Sequence, residues 1–171
     1  MGLIVSGIDE EVKNIDKNLK SARGALFSLL GNIFSYKCKL SCHLQFHTWL
    51  LLVKPVLRSG LSALPIQRHS MKPLNTFHLK ILRAILKLSR TSPIAPLYFL
   101  LGEQPIEATL HLDTLSLFWN IWINPHTKAF EVLKYLLVMA DENSATWAAH
   151  IRRIFLLYGL PNPTNLLNSP P

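Results

Sequence analysis

Apolar residues recur every three or four positions along most of the chain. Val12, Ile15, Leu19, Ala22, Leu26, Leu29 and Ile33 form the first such series, a spacing that gathers side chains on one face of an α-helix. Gly31-Asn32 near its end is a stop signal. Ser41 is suited to N-cap a second helix that runs to about Leu64 with a bend near Pro55. Leu74, Phe77, Ile81, Ile85 and Leu88 share one face of a third, predicted over Leu74–Leu88. Ser92-Pro93 places a cap and a first-turn proline ahead of a short helix ended by Gly102. Pro105 opens the next helix, which runs through Ala108, Leu112, Leu115, Phe118 and Trp119 to about Ile123, where Asn124-Pro125 stops it. Thr127–Met139 and Ser144–Tyr158 predict two more helices, separated by the turn Asp141-Glu142-Asn143, with Gly159 as a C-terminal cap. The proline-rich stretch 161–171 predicts a disordered tail. Only Gly2–Ser6 has a strand-like pattern. The expected class is all-α, a bundle-like arrangement of about six to seven helices.

Charge changes the picture more than composition does. The 171 residues carry 18 Lys+Arg against 10 Asp+Glu. Residues 1–90 hold 14 basic and 4 acidic side chains, a balance of +10, and residues 91–171 hold 4 and 6, a balance of −2. Between Asp16 and Glu103 there are 13 Lys/Arg and no acidic residue. Such asymmetry favours a polyanionic partner, either nucleic acid or an anionic membrane surface. With 49% hydrophobic and 16% charged residues the chain is not expected to be disordered throughout. Two cysteines make no disulfide framework, so an intracellular setting, nucleus or cytoplasm, is expected. The most membrane-like stretch, Leu44–Leu64, is interrupted by Lys54 and Arg58 and predicts a buried helix with no membrane span.

The bases are placed rather than scattered. Lys13, Lys17 and Lys20 fall on one arc of the first helix opposite its apolar stripe, with Arg23 one turn further on. Lys80, Arg83 and Lys87 do the same on the third helix, followed by Arg90. Cationic ridges of this kind suit backbone phosphates and carry no base-edge code; a solvated face that serves solubility is the plainer alternative. Cys38, Cys42, His43 and His47 form the one metal-like cluster. Four ligands within ten positions are crowded for a tetrahedral zinc site, and buried thiols beside exposed imidazoles explain them as simply. No cofactor is expected. Glu103, Glu107 and Asp113 lie near one another without evident partners, Glu103 reading as a helix-start cap. No nucleophile–base spacing or phosphate loop is present, so the chain reads as non-catalytic. Trp119, Trp122 and Trp147 have apolar helical neighbours and are expected in the core.

From Ser21-Ala22-Arg23-Gly24-Ala25-Leu26-Phe27-Ser28-Leu29-Leu30-Gly31 onward the chain resembles the region downstream of the catalytic palm in reverse transcriptases of non-LTR (LINE-like) retrotransposons. Pro55-Val56-Leu57-Arg58-Ser59-Gly60-Leu61 is similar to the family's PVLxYGLE stretch. Phe77-His78-Leu79-Lys80-Ile81-Leu82-Arg83 and Leu97-Tyr98-Phe99-Leu100-Leu101-Gly102-Glu103-Gln104-Pro105-Ile106-Glu107-Ala108 resemble its next segments in order. Leu115–Ile121 and Tyr158-Gly159-Leu160-Pro161 continue the likeness, which covers roughly residues 1–165. Arg58-Ser59 departs from the family's Leu/Tyr before Gly60, Lys87-Leu88-Ser89-Arg90 matches its turn only in part, and the polymerase's paired-aspartate metal motif has no counterpart.

The resemblance implies a truncated C-terminal fragment: 1–6 the last palm strand, 7–90 a basic thumb-like region, 91–160 a post-thumb helical region, and 161–171 the tail. It implies that the missing palm and fingers of the parent polymerase are partners, and that the Mg of polymerisation belongs to that palm. The implied role is backbone binding of an RNA–DNA or DNA duplex through Lys13, Lys17, Lys20, Arg23, Lys80, Arg83, Lys87 and Arg90. A peripheral membrane or scaffold module is the rival reading, and a retroelement relic without selected function a third.

Overall fold

A computed structural model describes residues 6–29, 41–141 and 144–167. The chain is all-α, as its periodicity requires. The helices are α1 (Ser6–Leu29), α2 (Cys42–Thr48), α3 (Lys54–Arg58), α4 (Met71–Ile85), α5 (Ile94–Leu101), α6 (Ile106–Trp122), α7 (Lys128–Met139), α8 (Trp147–Leu157) and α9 (Pro163–Leu167). A π-helical turn, Trp49–Val53, joins α2 to α3, and a 3-10 turn, Leu61–Ala63, follows α3. Of the strand expected at Gly2–Ser6, residues 1–5 lie outside the described residues, and Ser6 opens α1.

Two compact units divide the chain, and they do not follow the expected boundary at residue 90. The first comprises Val12–Ser59 and Gln67–Thr109; the second comprises Met1–Glu11, Gly60–Ile66 and Leu110–Pro171. The division follows packing rather than chain order, and it sharpens the charge split. The first unit contains 14 Lys/Arg and 3 Asp/Glu, a balance of +11, and the second 4 and 7, a balance of −3.

In the first, basic unit the α1 stripe buries Ile15, Leu19, Ala22 and Leu26, while Val12 at its start is 44% exposed. α4 buries Leu74, Phe77, Ile81, Leu82 and Ile85; the expected last member of its stripe, Leu88, lies beyond the helix end and is exposed. Ser41 caps α2, its hydroxyl accepting from the Leu44 N–H. The bend expected at Pro55 takes the form of the π turn. Pro55 has no N–H to donate and its ring crowds the carbonyl four residues back, so the helix widens by one residue ahead of it. Lys54 N–H accordingly donates to Trp49 O. The shift leaves Trp49, Val53 and Leu57 fully buried but Leu51 and Leu52 exposed, so the segment is not the wholly buried helix its composition suggested. Asn18 of α1 ends α3 from outside, its amide donating to Leu57 O at 3.2 Å and Ser59 O at 2.7 Å, carbonyls that the helix itself leaves unsatisfied.

The second unit packs α7, α8 and α9 against the end of α6. Phe118, Trp122, Phe130, Leu133, Leu137, Ile151, Phe155 and Leu167 form its core. Thr127 and Thr146 cap α7 and α8, accepting from the N–H groups of Phe130 and Ala149. The Arg152 guanidinium donates to the carbonyls of Leu137 and Ala140 at the C-terminal end of α7, where both the open acceptors and the helix dipole favour a cation. Of the three tryptophans expected in this core, Trp122 is buried, Trp147 is half-buried and donates to Ser62 O at 2.8 Å, and Trp119 is 54% exposed, lying against the Trp122 ring.

The expected tail is ordered up to Leu167, and this corrects the sequence reading over 163–167. Pro163 starts α9 without needing an N–H, Leu167 is buried, and Trp122 Nε1 donates to Leu166 O at 2.9 Å. Trp122→Phe will therefore lower the unfolding free energy by about 1–2 kcal/mol, since the Leu166 carbonyl loses its donor. Urea denaturation followed by circular dichroism measures this, and an unchanged midpoint would contradict it.

Candidate nucleic-acid interface

The cations predicted on α1 are where periodicity puts them. Lys13, Lys17, Lys20 and Arg23 are all exposed. At about 100° per residue, Lys20, Arg23 and Phe27 fall within an arc of about 60°. Phe27 is 68% exposed, an aromatic ring outside the buried stripe and on the cationic side.

On α4 the placement differs from the expected ridge. The helix ends at Ile85, and Leu88 N–H closes back on Arg83 O at 2.9 Å while Lys87 N–H donates to Ala84 O. That closure needs a left-handed residue, and Lys87 supplies it with φ 55. Lys87 is thus exposed but off the helix. Arg83 is half-buried, and its guanidinium donates to Ser92 O at 2.9 Å, holding the loop that carries the exposed Arg90. Of the predicted α4 ridge, Lys80 alone stands exposed on the helix.

Lys80 is nevertheless not isolated. Arg23, Leu26 and Phe27 of α1 face Lys72, Pro73, Thr76, Phe77, Lys80 and Ile81 of α4, with His69 just before it, across a groove of about 710 Å³. Leu26, Phe77 and Ile81 are the buried members and form an apolar floor. Arg23, Lys72 and Lys80 are exposed on its walls, and among the described residues no acidic side chain lines it. Two of the eight predicted contacts, Arg23 and Lys80, are therefore brought together. Lys72, Phe27 and His69 were missed. Lys72 was readable eight positions before Lys80 on one helix face, and Phe27 from its place on the arc of Lys20 and Arg23; the groove itself depends on how α1 and α4 lie against each other.

The metal-like cluster is only partly visible. Cys38 lies outside the described residues. Cys42 is an exposed free thiol, and His43 and His47, one turn apart on α2, approach Nε2 to Nε2 at 3.0 Å. Among the described residues no group of three or more His, Cys, Asp or Glu side chains is arranged to hold a metal ion. Nor, among those residues, is any helix long and apolar enough to cross a membrane.

Glu103 does not cap a helix through its side chain, as its position suggested. Its carboxylate pairs with the Lys54 ammonium and accepts the Gln104 N–H at 3.0 Å, and both ionic side chains are nearly enclosed. Beside them His78 of α4 is fully buried, between the rings of Trp49 and Tyr98. Burial pushes its pKa down to about 4, outweighing the opposing pulls of the Glu103 charge and the Gln104 backbone, while the Lys54 charge adds to the lowering. In the second unit burial likewise lowers His150 to about 4, helped by His111 and Arg153. Both imidazoles are neutral core groups at neutral pH.

Comparison with protein-family models, curated proteins and solved structures returns no match to this chain.

Proposed function

We propose that the basic unit binds the sugar–phosphate backbone of nucleic acid, RNA–DNA or DNA duplex, without sequence specificity and without polymerase chemistry of its own. This is the role of a thumb-like module of a non-LTR retrotransposon reverse transcriptase, acting inside the cell beside a separate palm and fingers that carry the catalytic Mg. The observation that carries the reading is the convergence of Arg23, Lys72 and Lys80 from two helices on one groove that, among the described residues, has no lining carboxylate. Lys72 and Lys80 meet phosphates as point charges and Arg23 as a planar fork, which gives affinity and register but no base code. The charge balance of +11 against −3 between the two units supports it, since solubility alone would not require the bases to gather in one unit.

The test is the salt dependence of binding to an RNA–DNA hybrid. Each neutralised phosphate contributes about −0.9 to the slope of log K against log[salt]. Replacing Arg23, Lys72 and Lys80 together by Ala will flatten that slope by about 2–3. A flat response in the native chain sinks the proposal. The rival, a peripheral membrane module, rests on the exposed apolar side chains Leu51, Leu52, Phe99 and Leu100 of the same basic unit. Flotation with anionic vesicles in the absence of hybrid binding would favour it instead.

A further inference from the structure

We infer that the groove between α1 and α4 receives an unpaired base with its flanking phosphates, so that the cations that meet a duplex backbone also hold a single-stranded stretch there. The inference rests on the reading of this unit as a nucleic-acid binder and names the part of the nucleic acid that this groove takes. Cationic ridges alone suit the outside of a duplex, where phosphates are all that is offered. The groove has more than charge. Its floor is apolar, built from Leu26, Phe77 and Ile81, and its volume of about 710 Å³ is that of a small-ligand cleft, roughly 300–1,000 Å³.

A duplex keeps its bases stacked inside and would leave that floor facing sugars and charged oxygens. An unpaired base presents a flat π face that the floor and the Phe27 ring can cover. Phe27 is the specific sign. An aromatic side chain 68% exposed forgoes the burial that would reward it elsewhere, and it stands on the groove's wall beside Arg23. A cationic track with an aromatic platform is the arrangement that binds single strands independently of sequence, because every base has a face to stack. Arg23 and Lys80 on opposite walls, with Lys72 two turns from Lys80, supply the phosphate contacts on either side of the stacked base.

Fluorescence anisotropy with a labelled oligothymidine 12-mer and an RNA–DNA hybrid of the same length, at one salt concentration, tests this on the full chain. Phe27→Ala will weaken oligothymidine binding about tenfold, within the range that loss of one base stack produces, and Phe27→Tyr will restore it. Hybrid binding will change by less than about twofold in both variants, since the duplex offers no free base face. Because Phe27 is exposed, neither substitution removes core packing. If the hybrid binds while Phe27→Ala leaves oligothymidine binding unchanged, or weakens both ligands alike, this inference is overturned and the backbone-binding role stands. If neither ligand binds, both fail. Polyglutamate competing with oligothymidine in a manner that depends on Phe27 would show an acidic-peptide groove instead and also overturn it.

Discussion

Glu103→Ala will cost the basic unit about 3–5 kcal/mol of stability, whereas Lys54→Met combined with Glu103→Leu will cost far less or nothing. Lys54 and Glu103 are each 9% exposed and paired with one another. Lys54 stands directly after the π turn, beside Phe46 and Leu50, and Glu103 in the loop after the left-handed Gly102. Little water reaches either charge. Removing the carboxylate strands the ammonium among apolar neighbours and leaves the Gln104 N–H without its acceptor. Removing both charges together, with side chains of similar bulk, takes away the attraction and the desolvation cost at once. Chemical denaturation of the two variants and the parent chain decides it. If the single and double variants lose the same stability, the pair is not the source of the cost.

The same ion pair shows where the sequence stops being informative. Lys54 reads as an interruption of an apolar run and Glu103 as a helix-start cap, because a separation of 49 positions hides that they meet. Local signals fared better. The cap at Ser41 and the left-handed glycines Gly102 and Gly159 are where composition places them, because each depends only on its immediate neighbours, whereas at α5 Pro93 and not Ser92 takes the cap position. The α4 stripe from Leu74 to Ile85 is buried for the same reason; it fails at Leu88, where Lys87 turns the chain out of the helix. The tail's prolines signal a break, while the interactions that order it come from outside it: Trp122, 44 positions from Leu166, and the α7 and α8 side chains of the core that Leu167 joins. For the candidate site, helical period located the cations of α1 without help. What period could not supply was the partner helix. Lys72 and Phe27 gain meaning only once α1 and α4 line one groove.

Acidification from pH 7 to about pH 4.5 will weaken both units, and His78 and His150 will account for much of the loss. Each imidazole is held neutral in the core, with a pKa near 4 against an ordinary value of 6.5. Between these values the unfolded chain takes up a proton that the folded chain refuses. Stability is therefore whole above about pH 6.5 and declines as pH falls toward 4, below which these two groups subtract nothing more. A displacement of that size corresponds to about 3 kcal/mol for each histidine at the lower end of the window. The two act separately, His78 in the basic unit between Trp49 and Tyr98 and His150 in the other beside His111. His78 is the more deeply buried of the two, and neither ring nitrogen meets the geometry of a hydrogen bond, so the pull of the nearby Gln104 backbone only partly offsets the cost of charging it. Phe, a flat apolar ring, replaces the imidazole without a titrating group. Unfolding free energies of the parent chain, of His78→Phe and of His150→Phe at pH 7.0, 5.5 and 4.5 measure the dependence. Each substitution will flatten the pH slope of its own unit, and equal slopes in all three proteins would show that carboxylates rather than these histidines govern the acid limb.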